Sequence, residues 1–336
     1  MNLAVVILAA GKGTRMYSSH LPKVLHPLGG RPLVAYSVDL AARLTPDPPV
    51  LVIGHGGEQV QAFLQDRARY VLQAEQLGTG HALLQAEAAL RDQADLVLVY
   101  AADMPLLTAA SLRRLVAVHS QHPGPLTLLT VIAAHPRGFG RILRGEGGGE
   151  VLGIVEEAEA TPAQRQIREL NAGVYCFAAE WLWPALQRLR PSPRKGEVYL
   201  TDLVQMAVED GFAVHAVITE DETETLGINT RLHLAEAEAT LRRRINQALL
   251  EGGVTMIDPA TTYIQPDVVV EPDSVLWPGV CLLGRTQIGQ GCEIGPHALL
   301  QDVVAGPGCY IGPGVVLRNQ ALPPGTRIEP PQIGMG

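Results

Sequence analysis

Ile264, Val270, Leu276, Leu282, Ile288, Ile294 and Leu300 fall at strict six-residue intervals, and after a slip of one residue the pattern resumes at Ile311 and Leu317. An α-helix repeats its buried face every 3.6 residues and a half-buried strand every two, so a sustained period of six fits neither. It fits a hexapeptide β-helix, in which each apolar side chain points into a prism-shaped core. Turn pairs such as Gly289/Gly291, Gly306/Gly308 and Gly312/Gly314 supply the corners between the apolar positions. The span leaves room for about three or four coils.

Residues 1–228 follow a different grammar. Short apolar runs at 4–9, 50–54, 95–101 and 126–132 alternate with amphipathic stretches at 32–44, 57–68, 79–92 and 108–122. Uniformly apolar strands separated by helices predict a Rossmann-like α/β domain, its mostly parallel sheet covered on both faces. The runs 139–143, 150–156 and 169–177 predict shorter, partly exposed strands, as in an inserted ribbon or mixed section. A charged helix over 231–250, with apolar Leu232, Ala235, Leu241, Ile245 and Leu249 on one stripe, connects the halves and ends at Gly252-Gly253. The expected organisation is therefore an α/β domain at 1–228, a linker helix at 229–252 and a short β-helix at 253–336.

The totals narrow the function. A net charge of −8 with no run of Lys or Arg argues against nucleic acid as the main partner. No apolar stretch approaches the roughly 20 residues that cross a bilayer, and the start "MNLAVVILAAG" reads as a first strand of a cytoplasmic protein and not as a signal peptide. Cys176, Cys281, Cys292 and Cys309 lack metal-site spacing and are expected to be buried thiols.

The strongest chemical signal is "VILAAGKGTRM", Val6 to Met16. Its glycine spacing is neither that of a P-loop nor that of a dinucleotide fingerprint. Small residues Ala9, Ala10, Gly11 and Gly13 after an apolar strand still let successive backbone N–H groups form an anion-binding concavity, with Lys12 and Arg15 adding positive charge. In a parallel sheet such a loop sits at the carboxyl edge, where ligands bind. Asp103, after the apolar run "LVLVYAAD", reaches the same edge, and Thr108 is the better cap for the next helix, which leaves Asp103 available.

The order of motifs "LAAGKGTRM…LPKVLHPLGGRP", "VLQAEQLGTGHA", "FGRI", "GIVEE", "LNAGVY", "GEVYLTD" and "LGINTR" resembles the bacterial N-acetylglucosamine-1-phosphate uridylyltransferase family over nearly the whole chain. That family joins a sugar-phosphate nucleotidyltransferase domain through a long helix to a left-handed β-helix. The resemblance implies UTP and N-acetylglucosamine 1-phosphate as partners, Mg²⁺ as cofactor, and a homotrimer built through the β-helix. It implies that Leu8, Ala9, Ala10 and Gly11 contact the nucleotide and that Gln73, Gly78 and Thr79 read uracil. Arg15 would neutralise the triphosphate, and Lys23 would hold the phosphate of the sugar. Asp103 and Asn229 would ligate the metal, while Ala101, Gly140, Glu156, Asn171, Tyr199 and Thr201 would line the sugar site with Asn229.

Three departures stand out. Five residues separate Met16 from Pro22 where four are expected, and "AAD" at 101–103 replaces the family's "YGD", which leaves the choice of sugar open. The β-helix is shorter than the family's, so acetyltransferase activity is expected to be missing, and His297 reads as a solenoid side chain. The alternatives are a uridylyl- or thymidylyltransferase for another hexose 1-phosphate, a hexapeptide acyltransferase with a degenerate first domain, and a non-catalytic scaffold.

Overall fold

The computed structural model describes residues 1–133, 138–193 and 196–330. The chain divides into two compact units: Met1–His26 with Pro32–His233, and Pro27–Arg31 with Leu234–Gly336. Residues 27–31, inside the expected first domain, thus belong with the second unit.

The first unit is built on strands β1 (Leu3–Ala9), β2 (Val50–Ile53), β3 (Arg69–Leu72), β4 (Leu96–Ala101), β5 (Leu126–Ile132), β6 (Arg141–Arg144), β7 (Val151–Val155), β8 (Glu169–Ala178) and β9 (His215–Ile218). The main sheet runs β9-β5-β8-β4-β1-β2-β3, with β6 and β7 branching from β8. β8 is antiparallel to both neighbours, while β1, β2, β3 and β4 pair in parallel. Helices α1 (Leu33–Ala42), α2 (Gly57–Leu64), α3 (Thr79–Leu84), α4 (Ala109–Ser120), α5 (Ala179–Arg188) and α6 (Asp202–Glu209) accompany the strands.

Two apolar clusters account for the near-continuous apolar character of the strands. Val5, Ile7, Leu51 and Leu98 face one of them, and Val6, Val52, Val97 and Val99 the other. A strand buried on both faces cannot alternate polar and apolar residues. Each fully buried Val, Leu or Ile contributes about 1.5–3 kcal/mol.

Two expectations need correction. The 169–177 run is not a short, half-exposed strand: β8 spans ten residues in the interior of the main sheet, between β5 and β4, mostly buried. Asn171 and Gly173 (φ 72°), at the register shift between Asn171 and Val174, interrupt its apolar run and so disguised it. The stretch 79–92 is not one helix, because α3 stops at Leu84 and a separate turn spans Glu87–Leu90.

The second unit opens with helix α7 (Arg231–Glu251), whose first residues, to His233, belong to the first unit. Its buried stripe differs from the expected one. Leu232 is exposed, and the inward positions are Ala237, Thr240 and Asn246, with Ile245 and Leu249 packed on the β-helix core. Asn246 Nδ2 donates to the carbonyls of Pro259 (2.8 Å) and Thr262 (3.0 Å), so a polar residue takes an interior place. Gly253, at φ 91°, ends the helix as expected.

Beyond it, two- and three-residue strands form three parallel sheets of five, four and four strands, the three walls of a β-helix of the hexapeptide type. The period is visible in the register: Leu276 stacks on Ile294 and Leu282 on Leu300, both 18 apart, and after the slip Ile294 stacks on Ile311 and Leu300 on Leu317, 17 apart. All the residues of the six-residue series are buried. His297 occupies a corner at φ 59°, its imidazole over Gly279, which suits the solenoid role expected for it. The last six positions of the expected β-helix, 331–336, lie outside the described residues.

No helix among the described residues is long and apolar enough to cross a membrane. All four cysteines are free, three of them buried and Cys281 partly so.

Candidate functional site

The chain leaves β1 toward β2 on one side of the sheet and later places β4 on the other side of β1. Order reverses there, and the carboxyl ends of β1 and β4 flank the crevice in which open α/β sheets bind ligands. The turn Ala9-Ala10-Gly11 leaves one end and Ala101-Ala102-Asp103 the other. Ala102 N donates to Leu8 O at 2.9 Å, which fixes the two ends side by side. Ala9 and Ala10 are buried, Gly11 is exposed with open space where a Cβ would stand, and Lys12 and Arg15 are exposed.

Lys23 reaches this crevice through a gap that only glycine leaves. A Cβ on Gly13, which sits at φ 61°, would lie 2.5 Å from Lys23 Cβ. The Lys23 ammonium donates to Asp103 Oδ2 and, at 3.1 Å, to Asn229 Oδ1. The Lys23 and Asp103 side chains are only 12% and 15% exposed. Asp103 and Asn229, which stand 80 and 206 positions from Lys23 along the chain, therefore meet it at one point. Asn229 is held by its backbone: Ile228 N donates to Asp103 O at 2.9 Å, and Asn229 N donates to His233 Nδ1 at 3.4 Å. Two oxygens converging on one cation are a donor set suited to a hard divalent ion, with the ammonium as its stand-in.

A buried carboxylate missed in the sequence braces this corner. Glu224, 6% exposed, accepts from Thr108 N (3.1 Å), Thr108 Oγ1 (3.1 Å) and Ser111 Oγ (3.0 Å) at the start of α4. Thr108 Oγ1 in turn accepts from Ser111 N at 3.2 Å, the capping role expected for it. Glu224 thus ties the segment after Asp103 to the segment before Asn229. One acid among the three in "DETETLGIN" gives no pattern by which to single it out.

A second group of expected residues is joined by the segment 196–201. Gly78, at φ 107°, lets the 73–80 loop lie directly on this segment: a Cβ there would stand 2.4 Å from Val198 O. Val198 N donates to Leu77 O (2.7 Å), Gly80 N to Val198 O (2.9 Å), and Leu200 N to Thr79 Oγ1 (3.0 Å). Gln73 is buried. Its amide nitrogen donates to Gly78 O and lies 3.0 Å from His81 Nδ1. On the other side of the segment Thr201 Oγ1 donates to Glu156 Oε1 at 3.0 Å.

Asn171 is buried where the register of β8 shifts. Its Nδ2 donates to Tyr175 OH (2.7 Å) and its Oδ1 accepts from Gly173 N (3.1 Å), while its own N–H donates to Gly140 O (2.9 Å). Both ends of the Asn171 amide are thus engaged within the protein, although sugar contact is expected of it. Gly140 leaves room for Ile154, whose Cγ2 would stand 2.7 Å from a Cβ there. Tyr199 lies among Glu197, Glu156 and Glu159; desolvation first and then these carboxylates push its phenol up to about 12. Asp202 is open to solvent yet crowded by protein, and desolvation followed by Glu156 and Glu159 raises its carboxyl to about 6.

At the opposite, amino edge of the sheet a cleft of about 600 Å³ is lined by Asn2, Arg91, His119, His122 and Trp183, among others. None of the residues expected to act borders it, and the topology puts no strand reversal at that edge.

Residues 5–205 match the family of MobA-like NTP transferase domains. The bifunctional protein GlmU of Syntrophotalea carbinolica is 49% identical over 301 residues, which cover 89% of this chain and 64% of that protein. The bifunctional protein GlmU of Halalkalibacterium halodurans is 46% identical over 90% of this chain and 66% of its own length, and that of Exiguobacterium sp. is 44% identical over 90% and 67%. The chain therefore spans about two thirds of the length of these relatives. A Bacillus anthracis crystal structure, described as a glucose-1-phosphate thymidylyltransferase in complex with a sucrose, superposes with a TM-score of 0.58 at 20% identity, over 71% of this chain and 94% of that one. At that identity the likeness shows the fold alone.

Proposed function

Because the chain belongs to the family of MobA-like NTP transferase domains, we propose that it transfers UMP from UTP to N-acetylglucosamine 1-phosphate, releasing pyrophosphate. The observation that carries this reading is the meeting of Lys23, Asp103 and Asn229 beside the glycine turn at the strand reversal. The relatives named GlmU, and the run of motifs shared with the uridylyltransferases, support the choice of reaction.

A phosphate oxygen of the sugar attacks the α-phosphorus of UTP, forming one P–O bond as the bond to the bridging α–β oxygen breaks. The electron pair leaves with pyrophosphate. The attacking oxygen is already anionic, so no general base is required, and the protein contributes position and positive charge. Backbone N–H groups of the Ala10–Gly13 turn meet the nucleotide phosphates, and the Arg15 guanidinium balances the charge gathering on the departing pyrophosphate. The Lys23 ammonium holds the phosphate of the sugar. Asp103 and Asn229 are the oxygen donors for Mg²⁺, which supplies charge neutralisation at the reacting phosphates when bound. Gln73, Gly78 and Thr79 present amide and backbone groups to the base, and Glu156 and Thr201 present acceptor and donor to sugar hydroxyls.

Ala101 is half-buried where the resembled family carries tyrosine, and it favours a second reading in which another hexose 1-phosphate, or dTTP, is used. We place the reaction in the cytoplasm, where the nucleotide donor is made. A homotrimer through the β-helix is favoured by exposed Val269, Val304 and Val316 on its walls; sedimentation as a monomer would reject it. The deciding experiment is pyrophosphate release from a panel of nucleotides and sugar 1-phosphates, with and without Mg²⁺. Fast release with UTP and N-acetylglucosamine 1-phosphate is expected, and release with none of the pairs would reject the reading. Acetyl-CoA consumption on glucosamine 1-phosphate, run beside it, tests the separate expectation that these residues transfer no acetyl group.

A further inference from the structure

As the residue that holds the sugar phosphate, Lys23 must give its ammonium to a phosphate oxygen. In the structure the ammonium donates to Asp103 Oδ2 and Asn229 Oδ1, the two oxygens that suit a divalent cation, so ammonium and metal compete for the same pair. We propose that Lys23 is a tethered place-holder: it compensates the Asp103 charge while the cation site is empty of metal, and passes to the sugar phosphate when the metal arrives. This inference rests on the metal and phosphate roles argued above and adds the exchange between them.

The local architecture fits such an exchange. Asp103 sits in a corner that excludes most water, and an unpaired carboxylate there would be costly. The Lys23 ammonium removes that cost in the metal-free protein. Its backbone is anchored next to the glycine turn, where the missing Cβ of Gly13 lets the lysine stem pass. Lys23 itself opens a single short helical turn, Lys23–Leu25, so the long side chain can swing without moving β1 or β4. Asp103 and Asn229, by contrast, are fixed through the Ile228 N to Asp103 O bond and the Glu224 brace. One mobile cation against two fixed oxygens is the arrangement that a hand-over needs.

The consequence is thermodynamic. Metal binding releases the ammonium for the phosphate, and phosphate capture of the ammonium clears the oxygens for the metal. Each ligand must therefore tighten the other by the same factor. Without substrate, removing the ammonium should make the metal bind better and not worse.

The test uses Mn²⁺ as the probe, followed by electron paramagnetic resonance of the free ion or by calorimetry. In the substrate-free protein, Lys23→Met should bind Mn²⁺ about tenfold tighter than the unaltered chain, since a charge-assisted competitor has gone. In the unaltered chain, N-acetylglucosamine 1-phosphate should tighten Mn²⁺ by a similar factor, and in Lys23→Met that coupling should vanish. The measurement on the unaltered chain needs no variant to fold. Equal or weaker Mn²⁺ binding by folded Lys23→Met, or absence of coupling in the unaltered chain, would overturn the hand-over. Asp103→Asn separates this from failure of the underlying reading. If Asp103→Asn binds Mn²⁺ as well as the unaltered chain, the metal assignment falls; if it binds poorly while Lys23→Met is unchanged, the hand-over alone falls.

Discussion

Gly13→Ala is the substitution on which the geometry speaks most sharply. Gly13 lies at φ 61°, and a Cβ there would stand 2.5 Å from Lys23 Cβ. Carbon atoms rest at about 3.5–4.0 Å, so the Lys23 stem must withdraw by about 1 Å. Displacements of that size in a positioning group cost about a hundredfold in rate. The left-handed backbone adds about 1–2 kcal/mol of strain for a residue with a side chain, which in a domain of this size lowers Tm by about 2–4 °C per kcal/mol. The assay is pyrophosphate release across a range of N-acetylglucosamine 1-phosphate concentrations, with thermal unfolding measured in parallel. We expect kcat/KM for the sugar phosphate to fall about a hundredfold while the protein stays folded at assay temperature. A folded variant with kcat/KM within about threefold of the unaltered chain would refute the claim that this glycine exists to admit Lys23.

Glu224→Ala removes the acceptor of three hydrogen bonds and should cost about 3 kcal/mol in urea unfolding of the first unit; Glu224→Gln, which keeps one acceptor oxygen, should cost less. Asp103→Asn should leave Tm within about 2 °C and abolish Mg²⁺-stimulated pyrophosphate release. His119 is pushed down to about 4, by burial first and then by His215 and His122. A histidine with a lowered folded value stabilises the fold fully above the unfolded value of 6.5, and that stability drains away as pH falls from 6.5 toward 4, by about 3 kcal/mol in all. His119→Asn should flatten the pH dependence of unfolding in that window; an unchanged slope would remove the assignment.

The period of six told most about the fold, because stacking identical coils forces identical apolar spacing, and the register of Leu276 on Ile294 repeats it residue by residue. The parallel core was legible for the same reason: strands buried on both faces have no polar residues to interrupt them. β8 was obscured by Asn171 and Gly173 at its register shift, which interrupt the apolar run, and the inward stripe of α7 by Asn246, a polar residue whose interior bonds cannot be inferred from its type. At the site, the strand end pointed to Asp103 and the motif resemblance set Asp103 and Asn229 on one metal ion, but nothing in the sequence indicated that the Lys23 ammonium would bond to both. Glu224 was invisible because its partners, Thr108 and Ser111, lie 116 and 113 positions away.

The central claim is that phosphates lie on the backbone turn after β1, opposite Asp103. A crystal structure of the protein soaked with a uridine nucleotide and Mg²⁺ tests it most directly. Phosphate oxygens are expected within hydrogen-bonding distance of the N–H groups between Ala10 and Arg15, with the base beside Gly78. A nucleotide bound at the amino edge of the sheet, near His119 and Trp183, with that turn empty would contradict it.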